Sequence, residues 1–123
     1  MNDRKTVSQE IQDRSIKSLT STFDKLSNAY KSMTEKGSNT TLVTKRRSAV
    51  KIGLESLENI WNGGTFSYDE ADIEASKDIL QGILPSIEKQ IEKAKEGSPQ
   101  KTVNERRLTA LLLAIESLEE RLT

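Results

Sequence analysis

The chain contains no cysteine and no histidine. The first absence excludes disulfides, thiolate nucleophiles and thiolate metal sites. The second removes the commonest metal ligand and the usual general base near neutral pH. A zinc site of the Cys/His type cannot be built, and only a carboxylate site for a hard cation stays open. Lys plus Arg number 19 and Asp plus Glu number 19, so neither sign of charge is in excess. No overall field draws the chain onto nucleic acid or an acidic membrane, which argues against nucleic acid as a partner. The longest apolar run is Ala110 to Ile115, far short of the roughly 20 residues of a membrane span. The opening Met1-Asn2-Asp3-Arg4-Lys5 is polar with no apolar stretch behind it, so the expected location is cytoplasmic. Neither G-x-x-x-x-G-K-[ST] nor G-x-G-x-x-G occurs. Serines are numerous, but without histidine no ordinary triad activates them. The expectation is a protein that is not an enzyme and uses no cofactor and no metal.

What remains is helical periodicity. With 123 residues the chain makes one domain. Four segments space their apolar residues by three and four positions. The first, about 6–36, carries Ile16, Leu19, Phe23, Leu26, Tyr30 and Met33, with Thr6-Val7-Ser8-Gln9 as a capping box and Gly37 as the stop. The second, about 42–62, carries Val43, Val50, Leu54, Leu57 and Trp61, is capped by Thr41 and ends at Gly63-Gly64. The third, about 68–96, opens on the box Ser67-Tyr68-Asp69-Glu70 and carries Ile73, Leu80, Leu84, Ile87, Ile91 and Ala94. Pro85 lies inside it, at a cost of about 3 kcal/mol, and predicts a kink near Gln81-Gly82 rather than a break. The fourth, about 103–122, opens on Thr102-Val103-Asn104-Glu105 and carries Leu108, Leu111, Ile115, Leu118 and Leu122. Short loops between long helices predict an all-α, antiparallel four-helix bundle.

The two halves echo each other. Glu35-Lys36-Gly37-Ser38 resembles Lys95-Glu96-Gly97-Ser98, and Val43 and Arg46-Arg47 match Val103 and Arg106-Arg107 at a shift of 60. After one inserted residue, Glu55-Ser56-Leu57-Glu58 returns as Glu116-Ser117-Leu118-Glu119. This predicts two pseudo-repeated hairpins, about 6–62 and 67–123, each unable to bury its apolar face alone. Packing face to face within one chain, or swapping in a dimer, satisfies both.

Three surface features carry the functional expectations. Arg46, Arg47, Arg106 and Arg107 fall near helix N-termini, where cations oppose the helix dipole by roughly 0.3–1 kcal/mol each. Either Arg46 and Arg107 pair with carboxylates such as Glu35 and Glu92, or the four form a site for a phosphate or an acidic partner. Ile52 and Leu113 lie opposite the stripes of their helices, and Leu112 and Ala110 widen that patch, which suggests an interface with a partner or a second copy. Glu55, Glu58, Asp69, Glu70, Asp72, Glu116, Glu119 and Glu120 concentrate at the opposite end. Trp61, Phe66 and Tyr68 cluster around the central loop, as a plug for the core or as binding anchors. The first functional expectation is an interaction or regulatory module that binds a protein partner or itself. The second is phosphate or nucleic-acid binding through the basic end. In size and four-helix plan the chain is also loosely similar to bacteriocin immunity proteins, a likeness of plan that rests on no motif.

Overall fold

The computed structural model describes residues 7–123. They form four helices: α1 (Gln9–Glu35), α2 (Thr41–Asn62), α3 (Glu70–Lys93) and α4 (Pro99–Arg121). The described residues contain no strand, and the helices pack as a compact four-helix bundle. Gly37 and Gly97 sit in the left-handed region, with φ of 73° and 78°. They turn the chain between α1 and α2 and between α3 and α4, which lays each helix against its successor.

The caps differ from those expected. Ser8, not Thr6, caps α1 by accepting from the Ile11 N–H, and Thr6 lies outside the described residues. Thr40 precedes α2 without a side-chain bond, while Asn39 accepts from the Thr41 N–H. Asp69 caps α3 through the Asp72 N–H. Ser98 caps α4 through the Lys101 N–H, with Pro99 in the first turn, where its missing N–H costs nothing. The three capping-box words therefore each mark a position other than the observed cap, and α2 starts at Thr41 rather than being capped by it. α3 is one helix across Pro85 because Leu80, Leu84 and Ile87 keep the same face on the core, and it ends at Lys93, before the expected Glu96.

Leu19, Val50, Leu57, Leu80, Leu111 and Leu118 are fully buried. Each such leucine is worth roughly 1.5–3 kcal/mol of transfer free energy. α2 and α4 also meet across the bundle, whereas α1 and α3 barely touch. Small residues make that approach possible: Ala49, Gly53 and Ser56 on α2, and Ala110, Ala114 and Ser117 on α4, are all buried. A Cβ on Gly53 would stand 3.1 Å from the Ala114 Cβ. Ser56 and Ser117 are hydrogen-bonded at 2.8 Å.

These pairs fix the structural repeat at an offset of 61. Burial matches at that offset in all four helices: Ser15 with Ser76, Leu19 with Leu80, Val50 with Leu111, and Leu57 with Leu118. The echo at 60 is a correspondence of words, not of positions. Val43 is buried, whereas Val103 is 48% exposed; the residue that takes the place of Val43 is Asn104. Likewise Arg107 corresponds to Arg46, and Leu108 to Arg47.

The outward placement of Ile52 is overturned. It is only 8% exposed and belongs to the core. α2 packs against three helices rather than one, so it buries more of its circumference than a single stripe. Leu113, its counterpart, is half-buried against the core, and of that patch only Leu112 is exposed, at 49%.

Candidate functional site

α1 turns a row of polar residues toward α4: Arg14, Lys17, Ser18 and Ser21. Their spacing places them on one side of the helix, beside its apolar stripe. α4 answers with Val103, Arg106 and Arg107, and the two walls enclose an open groove of about 180 Å³. It continues past Arg14 and Arg106 into a section of about 330 Å³ lined by Ile11, Ser15, Thr102, Glu105 and Thr109.

Arg107 is tied to both walls of the groove. Its Nε donates to Thr22 Oγ1 at 3.0 Å, and one Nη1 hydrogen reaches Asn104 Oδ1 at 3.4 Å. Burial lowers its pKa, although a guanidinium remains charged throughout the working range of a protein. Its remaining N–H donors are uncommitted among the described residues. Arg47 is held in a related way on another side of α1. It donates from Nε to Ser27 Oγ at 2.8 Å and lies 5.0 Å from the Phe23 ring centroid and 5.8 Å from that of Tyr30.

The expected pairing of Arg46 and Arg107 with Glu35 and Glu92 does not form. Among the described residues no carboxylate makes an ion pair with Arg46, Arg47, Arg106 or Arg107, whereas Arg14, Lys77 and Lys101 pair with Glu10, Asp78 and Glu96. Nor do the four arginines share one pocket. Arg106 and Arg107 line the groove with Arg14 and Lys17, Arg47 lies over the rings of Phe23 and Tyr30, and Arg46 takes no partner among the described residues. Arg14 and Lys17 escape a reading of the basic pairs alone, although their i, i+3 spacing on the polar side of α1 is visible in the sequence.

The opposite region is polar but engaged. The Tyr68 hydroxyl donates to Glu55 Oε2 at 2.9 Å, and burial followed by the nearby Glu55 carboxylate raises the tyrosine pKa. Phe66 packs edge-on to Tyr68 with centroids 5.2 Å apart, and Arg121 lies 3.8 Å from the Phe66 centroid. With Trp61, these rings pack against the core. No three carboxylates among the described residues are grouped to hold a metal ion, and no helix is long and apolar enough to cross a membrane.

The fold and groove together define a four-helix bundle with a cationic cleft on one side. No family model, curated protein or solved structure matches the chain.

Proposed function

We propose that this protein is a non-enzymatic interaction module that binds an acidic segment of a protein partner along the groove between α1 and α4. One observation carries the reading: Arg14, Lys17, Arg106 and Arg107 line a groove that also exposes Ile11 and Val103. Cations around exposed apolar side chains suit a segment that mixes Asp or Glu with apolar anchors. The test is to pan the protein against a degenerate peptide library and repeat with Lys17→Glu/Arg106→Glu. Enrichment of acidic peptides that the double variant loses, and that weakens with salt, supports the groove. Enrichment that is indifferent to both rejects it.

A second reading has its own observation. Glu70, Glu74 and Asp78 form an acidic row on one face of α3. That row complements the groove, so two copies could associate through unlike faces. Sedimentation at low and high salt separates the readings: a salt-sensitive increase in mass, abolished by Glu74→Lys, favours self-association.

A further inference from the structure

We propose that the part of the groove formed by Lys17, Arg106 and Arg107 is a phosphate-monoester site that takes a phosphorylated serine or threonine of the partner. This rests on the groove being a protein-binding surface and names the chemistry it recognises.

Charge supplies the first argument. One carboxylate offsets one cation, whereas a phosphate monoester brings about 1.5 to 2 negative charges and three strong acceptor oxygens. Three cations meet here, and this chain supplies none of them with a carboxylate among the described residues. Glu10 engages Arg14 and Glu105 lines the adjoining section, so the anion-accepting part is the Lys17 side.

Donor geometry supplies the second. A tetrahedral anion needs donors from several directions. The α4 wall offers two guanidinium forks, and the α1 wall offers an ammonium and the hydroxyls of Ser18 and Ser21. Thr22 and Asn104 fix Arg107 before any ligand arrives, which reduces the ordering cost of binding. Val103, 48% exposed at the groove, gives an apolar seat beside the anion.

The experiment uses degenerate fluorescent peptides with a fixed central phosphoserine, and the same peptides with serine or glutamate there, read by anisotropy. The phosphorylated set binds about tenfold or more tighter than the glutamate set, as expected for extra charge-assisted bonds. Lowering the pH from about 7.5 to 5.5 weakens it about fourfold, because the second phosphate pKa is about 6. Without histidine the protein brings no side chain of ordinary pKa in that window. Arg106→Gln, at an exposed position, removes the preference and keeps the helical spectrum and melting temperature. Inorganic phosphate at high concentration competes. Equal binding of the glutamate and phosphoserine sets overturns the phosphate site and leaves the groove reading standing. No binding of any set to the folded protein overturns both. A single-stranded oligonucleotide that binds more tightly than the phosphopeptides, with no pH dependence, also overturns it and assigns the groove to nucleic acid.

Discussion

Ser56 donates its hydroxyl hydrogen to Ser117 across the 2.8 Å that separate their oxygens. The direction follows from the neighbours. Ser117 has one hydroxyl hydrogen and gives it to the Ala114 carbonyl at 2.7 Å. Ser56 Oγ in turn accepts from Arg121 Nε at 2.7 Å. A one-way chain of hydrogen bonds thus runs from Arg121 through both buried serines to the backbone of α4, at the place where the two hairpins approach.

Ser117→Ala removes the acceptor for a fully buried hydroxyl. Its expected cost is about 1–3 kcal/mol, measured by urea unfolding. Ser56→Ala and Ser117→Ala are coupled, so the double variant costs less than the two singles together. Additive costs would show that the serines act independently.

The two helical glycines respond with opposite sign. Gly53→Ala places a methyl 3.1 Å from the Ala114 Cβ and 3.2 Å from Leu80 Cδ1. Leu80 can turn, but the Ala114 Cβ moves only with α4. The overpacking, about 1–3 kcal/mol, outweighs the helix-propensity gain of about 1 kcal/mol. Ala114→Gly restores part of the loss. Gly82→Ala meets nothing within 4 Å and raises stability by about 0.5–1 kcal/mol. Thermal melts of the three variants check the ordering.

Replacing Ser98 with Ala costs about 1 kcal/mol, because it removes the side-chain acceptor for the Lys101 N–H. Thr102→Ala, at the expected cap, falls within about 0.5 kcal/mol of wild type as an exposed substitution. The reverse ranking would mean that α4 starts later than the structure shows.

Tyr68 makes stability fall in alkali. Its folded pKa lies above the unfolded value of about 10, so its contribution is complete below that pH and is lost as pH rises through the folded pKa. Tyr68→Phe lacks this dependence and shows a flatter stability profile above about pH 10. Ultraviolet titration of the phenolate beside urea melts at each pH tests it.

The helices were legible because apolar spacing is redundant: Leu19, Leu57, Leu80, Leu111 and Leu118 each repeat the same message, and all are buried. The caps were not, because several Ser, Thr and Asp residues compete within a few positions. At α4, Ser98 prevails because Pro99 suits the first turn better than any other. Ile52 was misplaced because helical phase describes one buried face, whereas α2 has three neighbours. Arg106 and Arg107 were visible as a basic pair, but their company was not. Thr22 reaches Arg107 only through packing, at a sequence separation of 85, whereas Asn104 lies one turn back on α4.

The counterpart of Arg121 at the offset of 61 is Ile60, so the serine pair has a cationic donor from one side only. Two first hairpins from different molecules would bring no guanidinium to the seam, and two second hairpins would crowd a pair of like charges there. Only an unlike pair of hairpins therefore brings a single guanidinium to the seam. The expected consequence is that unlike hairpins pair in preference to like ones when molecules meet during assembly.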